Sequence, residues 1–423
     1  MTSFLRVLAA LTVGACATTC SRQPDFDLII RGGTVYDGSG EVPGDQRADV
    51  GIIGDRIRAI GDLTGRPAGT IIEANGKAVA PGFIDAQSRA GLTLLADGAG
   101  DNHLRQGITS EIVADGNPAF WNAATADTTS LQRYGLTLDW SGLGGYFNKL
   151  ESRGIAINVG ALVPLSAAGG AGNRGSFIDT AMRDGAFGVL DDVHAGLQEI
   201  TSVATMAGRY GGTAMIHSDS IVTESDDALV SVGAQVRRLI IADISRAPNQ
   251  PVSALIARMT RAIARNVPVV GTLTPYAAAT GEPDAAIHEA LRFGGALVVT
   301  DSRTMHHATA AADTRPPAFG AMPRFVGLAR DARVTELRDA IRRLTSTPAT
   351  LYQLEQRGYI RENYFADVVV FDPQTIADRA TFDTPNQYPV GIEYVIVNGV
   401  VELTPRGITG ARGGTRLVHL PPS

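Results

Sequence analysis

The chain has 423 residues, 44% of them hydrophobic, which is enough to bury a large core and to form two or more domains. Its 37 Lys and Arg stand against 43 Asp and Glu, so no basic stripe is available to track a nucleic-acid backbone. The 48 Gly and 21 Pro punctuate apolar runs that recur along the whole length, which excludes a disordered chain.

In chain order, residues 1–25 read as a leader. A short segment ending at Arg6 precedes an apolar run from Val7 to Val13, too short to span a bilayer. Val13-Gly14-Ala15-Cys16 resembles the bacterial lipobox. Cys16 is therefore expected to carry a lipid, and the protein to be exported to the periplasm and held at a membrane through that anchor only. Ordinary cleavage near Ala17 is the alternative. Both cysteines, Cys16 and Cys20, fall in this leader, so the folded body has no thiol nucleophile and no disulfide.

Residues 26–80 hold short strand-like runs broken by glycine: Leu28 to Gly33, Asp49 to Gly54, Arg56 to Gly61. A matching group lies at Ala366 to Pro373 and Tyr394 to Val400. The two groups predict one small composite β-sandwich from residues 26–80 plus 351–423. Between them, over 81–350, eight apolar runs alternate with helix-like stretches. They centre on Phe83-Ile84, Glu111 to Ala114, Ile155 to Val163, Phe187 to Leu190, Thr213 to Ile216, Leu239 to Ala242, Val267 to Thr274 and Ala296 to Thr300. An α/β protein with a (β/α)8 TIM-type barrel is the expected fold. The chemistry of such barrels gathers at the carboxyl ends of the strands. The polar residues closing these runs are Gln87 and Arg89, Asp115, Asp191 and Asp192, His217, Asp243, Tyr276 and Asp301, an acidic rim.

The run from Val79 to Arg89, Val-Ala-Pro-Gly-Phe-Ile-Asp-Ala-Gln-Ser-Arg, resembles the first barrel strand of the amidohydrolase superfamily. There the strand ends in His-x-His, which grips a divalent ion; here those positions are Gln87 and Arg89. A guanidinium is no ligand, and it repels a cation. The remainder is similar to the N-acyl-D-amino-acid deacylase branch. Tyr210 to His217 resembles its fifth strand, with His217 on a metal-binding histidine. Asp243 and Ser245 stand where Ile-Ser-His-Leu-Lys has a ligand and a substrate-contacting lysine. Pro275-Tyr276 and Thr300-Asp301-Ser302 match the seventh and eighth strands. Phe319 to Arg324 resembles Tyr-Gly-Thr-Phe-Pro-Arg, with Pro317 where an arginine would clamp a substrate carboxylate.

Two readings follow from this resemblance. In the first, the hydrolytic metal site is lost and no cofactor is expected. A non-hydrolytic envelope protein then binds a small polar or acylated ligand, with Arg89 as its carboxylate clamp. In the second, the protein hydrolyses non-peptide C–N bonds with one divalent ion, zinc, manganese or magnesium, among His217, Asp243 and Asp115. Asp301 is then the general acid and base, and Tyr276 polarises the scissile carbonyl. So oxygen-rich a ligand set suits manganese or magnesium better than zinc.

Other signals are weaker. His306 and His307 are adjacent in a loop and are expected to point apart. Gly170 to Gly175 matches G-x-G-x-x-G by letter but follows the third strand, and reads as a mouth loop rather than a nucleotide site. Asp191-Asp192 reads as a solvated loop. His103, His194, His288 and His419 show no partner pattern, and neither a G-x-S-x-G elbow nor a His and Asp pairing that would activate a serine is visible.

Overall fold

The computed structural model of the protein describes residues 24–41, 46–114, 128–168, 171–218, 225–246, 251–277, 285–310 and 313–420. Cys16, Cys20, Asp115 and Gly170 lie outside the described residues.

The amino-terminal strands are β1 (Phe26–Val35), β2 (Arg47–Ile53), β3 (Arg56–Gly61), β4 (Ala68–Glu73) and β5 (Ala78–Pro81). All four residues of β5 are buried, because β5 is the central strand that joins the two ends of the chain. On one side it pairs in parallel with β1; on the other it pairs antiparallel with Val368–Phe371, Val79 opposite Val370 and Ala80 opposite Val369. One nine-stranded sheet results, with Val50, Ile52, Ile57, Val368, Val370 and Ile396 packed in one of its apolar clusters.

Gly82 separates β5 from the first barrel strand, β6 (Phe83–Ser88). A Cβ at residue 82 would lie 2.1 Å from the Thr109 hydroxyl, so only glycine lets β6 approach the next strand. The barrel continues through β7 (Ile108–Val113), β8 (Asn158–Ala161) with its short extension β9 (Val163–Pro164), β10 (Gly188–Leu190), β11 (Thr213–His217), β12 (Arg238–Ala242), β13 (Val269–Leu273) and β14 (Ala296–Val298). Every pairing within it is parallel. Parallel strands covered on both faces explain why these runs are apolar throughout instead of alternating.

The ends of β14 and β6 meet through two backbone bonds, Asp301 N–H to Gln87 O at 3.0 Å and Arg89 N–H to Ser302 O at 2.8 Å. Inside the barrel Ile84, Ile112, Leu162, Phe187, Met215, Ile240 and Leu297 fill the centre. A larger apolar layer lies between the strands and the surrounding helices. The chain then closes the composite sheet with β15 (Val368–Phe371), β16 (Ile392–Val397), β17 (Val400–Thr404) and β18 (Gly407–Ile408).

Each of the eight expected barrel runs is a strand. The glycine-rich stretch is not the expected loop: a helix runs over Ala171–Arg183 and takes in Gly172 and Gly175. Among the described residues no helix is long and apolar enough to cross a membrane.

Candidate active site at the barrel mouth

β6 carries Gln87 and Arg89 to the mouth. Gln87 is buried, and its amide is oriented by its neighbours: Thr272 Oγ1 donates to Oε1 at 2.7 Å, and Nε2 donates to Asp301 Oδ1 at 3.1 Å. Because an ionised carboxylate only accepts, Asp301 fixes which end of the amide faces it. Arg89 adds a fork to the same carboxylate, Nε to Oδ1 at 2.8 Å and Nη2 to Oδ2 at 3.1 Å. Asp301 sits just past β14 with φ of +46°, a left-handed turn that aims its carboxylate back at β6. Asp243, past β12, has φ of +55° and gives its N–H to Thr272 Oγ1 at 3.3 Å. One chain of hydrogen bonds therefore crosses the mouth, Asp243 to Thr272 to Gln87 to Asp301.

On the opposite side His217 closes β11, half-buried, its ring 5.1 Å from that of His194 between centroids. His194 follows the neighbouring strand β10 with φ of +51°. Nothing in the sequence marks His194 beyond its position after the strand beside β11. Asp191 is buried and accepts from Ala195 N–H at 2.9 Å, and Asp192 accepts from the backbone N–H and hydroxyl of Ser166. These two carboxylates build the loop after β10 and are not a solvated pair.

Tyr276 is buried. Its hydroxyl donates to Asp378 Oδ2 at 3.0 Å, a carboxylate that also accepts from Arg324 Nη1 at 3.1 Å, and the guanidinium lies 4.5 Å over the tyrosine ring. Beneath Asp301, Asp85 is fully buried and accepts from Thr300 N–H at 3.2 Å, from the Thr300 hydroxyl and from Gln87 N–H at 3.2 Å. Burial pushes its carboxyl up to about 7, against the pull of nearby His103.

A cavity of about 820 Å³ opens beside Asp301. Arg89, Arg133, Arg303 and Arg315 line it with three carboxylates, Asp97, Asp301 and Asp313. Pro317 is on its wall, while Tyr276, His217, Asp243 and Ser245 are not.

The first-strand side of the mouth does not fit a divalent ion. An amide and a guanidinium occupy it, and three hydrogen bonds already take up Asp301. His217, Asp243 and Asp301 do not converge into one ligand group. Among the described residues the His, Asp and Glu atoms that do gather, within 4.8 Å of one another, belong to Asp101, His306 and His307. The two histidine rings are 4.4 Å apart and both face the Tyr388 ring, so they do not point apart as their adjacency predicts. Asp101 already accepts from Arg105 Nε at 2.7 Å and from the Tyr388 hydroxyl. His306 Nδ1 accepts from Ala308 N–H at 3.2 Å, so a neutral ring presents N–H, not a lone pair, toward Asp101.

An eight-stranded parallel barrel with a polar mouth, mounted on a sheet drawn from both chain ends, defines the class as a TIM-barrel fold with a composite β domain. The profile of the Amidohydrolase family matches residues 99–401, and the chain belongs to that family, in its D-aminoacylase-like branch. It is 28% identical to N-acyl-D-glutamate deacylase of Alcaligenes xylosoxydans xylosoxydans, over 89% of this chain and 93% of that protein. It is 26% identical to D-aminoacylase of the same organism, over 94% and 98%. Among solved structures, N-acyl-D-glutamate deacylase of Bordetella bronchiseptica, complexed with zinc and a phosphonate inhibitor, superposes with a TM-score of 0.80 at 25% identity, covering 93% of this chain and 99% of that one.

Proposed function

We infer that the cavity beside Asp301 binds a small acylated carboxylate, of the N-acyl amino acid class on which its relatives are named to act, and that the metal-bound-water step is absent from the first-strand side of the mouth. The observation that carries this reading is the fork of Arg89 on Asp301, braced by Gln87. The general base of a metal-assisted hydrolysis would have to be free to take a proton from water, and this carboxylate is held by three donors. Four guanidinium groups against three carboxylates leave the cavity wall positive, which favours an anionic ligand. Calorimetric titration with N-acyl-D-glutamate and N-acetyl-D-leucine tests it: saturable heat that is lost in Arg315→Ala supports the reading, and no heat with any acylated amino acid refutes it.

A second reading keeps one divalent ion. Asp101, His306 and His307 favour it by their convergence, and an ion there would polarise a ligand reaching the outer cavity, whose wall includes His306. Metal that binds and then disappears in His307→Ala would favour this second reading. We further propose that Cys16 anchors the exported protein at a membrane. The lipobox-like run supports this, and an unchanged membrane fraction in Cys16→Ala would refute it.

A further inference from the structure

The loop after β14 is pinned from three directions. Arg89 N–H holds Ser302 O, Thr93 Oγ1 accepts from Thr304 N–H at 3.1 Å and meets its hydroxyl at 2.8 Å, and Asn102 both donates to Arg303 O at 3.0 Å and accepts from Met305 N–H at 2.7 Å. Ser302, half-buried on the cavity wall, is thereby fixed with its Oγ 3.1 Å from Nε2 of His103. The other ring nitrogen, Nδ1, lies 2.7 Å from Oε2 of Glu111, and both of these side chains are fully buried. A carboxylate accepts only, so Nδ1 carries the proton, and in the neutral imidazole Nε2 then turns its lone pair to the serine hydroxyl. Hydroxyl, imidazole and carboxylate stand in the order of nucleophile, base and orienting group. They come from three separate segments, so no spacing in the sequence announces them.

We propose that Ser302 is a nucleophile toward acyl esters bound in the cavity, with His103 as its general base and Glu111 as the positioning residue. This rests on the cavity being the site of an acylated ligand and adds a route that needs no metal. The serine oxygen bonds to the acyl carbon while its proton passes to Nε2. The ester C–O bond then breaks, and Nε2 returns that proton to the departing oxygen. Water completes the cycle: its proton goes to Nε2, its hydroxyl to the acyl carbon, and Ser302 leaves with the proton from Nε2. Arg303 shares the wall with Ser302 and is a donor for the oxyanion.

The test uses the full chain, with chelator present, and a fluorophosphonate probe whose adduct is mapped by peptide mass spectrometry. One phosphonyl group on Ser302 is expected, forming roughly 100-fold more slowly in His103→Gln and absent in Ser302→Ala. Glu111→Gln should slow phosphonylation while Glu111→Asp restores part of the rate, with ligand affinity unchanged in both, a rescue that a residue supporting only the fold would not show. No adduct on the wild-type chain, an adduct elsewhere, or an unchanged rate in His103→Gln would overturn the assignment; the wild-type mapping decides even if a variant fails to fold. An adduct on Ser302 without binding of acylated amino acids would sink the ligand reading alone, and binding without an adduct would sink only the nucleophile.

Discussion

Arg89 is the residue on which the mouth turns. Its side chain is half-exposed, so solvent screens the pair with Asp301 and its contribution to stability is about 1 kcal/mol or less. Arg89→Ala is therefore expected to unfold close to the wild-type denaturant midpoint, yet to bind an acylated carboxylate at least about tenfold more weakly, a loss of ~1.4 kcal/mol. A large loss of stability with unchanged binding would show that Arg89 holds the fold instead. Gln87→Glu sets a second carboxylate against Asp301 where an N–H now donates, and should destabilise by about 1–3 kcal/mol in urea unfolding.

Asp85 gives a pH signature. Its folded carboxyl titrates at about 7 because burial disfavours the charge, whereas in the unfolded chain it titrates near 3.8. Between those values the folded state holds the extra proton, so this group makes stability fall as pH rises through that window. Asp85→Asn should flatten the fall between about pH 4 and pH 7 in denaturant titrations, and an equal slope in both proteins would contradict the assignment. Glu402, pushed up to about 7 chiefly by burial, acts in the same direction and remains in the variant.

At the scale of elements, the strands were legible and their side-chain partners were not. Continuous apolar runs such as Leu239 to Ala242 announce buried parallel strands, and the polar residue after each run does reach the mouth in Gln87, His217, Asp243 and Asp301. What failed to show was anything set by the turn beyond the strand. The positive φ of His194, Asp243 and Asp301 decides where each side chain points, and none of these residues is a glycine that would have marked the turn. Tyr276 illustrates the same limit: its partner Asp378 lies 102 residues away. The helix over Ala171–Arg183 was obscured by glycines that favour loops locally, and tertiary packing overrides that preference. Gly82 is the element-scale lesion site. Gly82→Ala drives a methyl into Thr109 between β6 and β7 and should cost about 1–3 kcal/mol, read as a lowered melting temperature.

For the molecule as a whole, β5 and Gly82 tie the composite sheet directly to the first barrel strand, so the strand that carries Gln87 and Arg89 is anchored at its base by both ends of the chain. The barrel is that of the amidohydrolase family. The mouth is proposed to work without a metal on its first-strand side, where Arg89 and Gln87 hold Asp301. Elemental analysis of protein purified without chelator, alongside hydrolysis of N-acyl-D-amino acids after adding zinc, manganese or magnesium, bears on that point most directly. No stoichiometric metal at the barrel mouth and no metal-stimulated turnover are expected. About one ion per chain that is lost in His217→Ala, with hydrolysis restored by the metal, would contradict it.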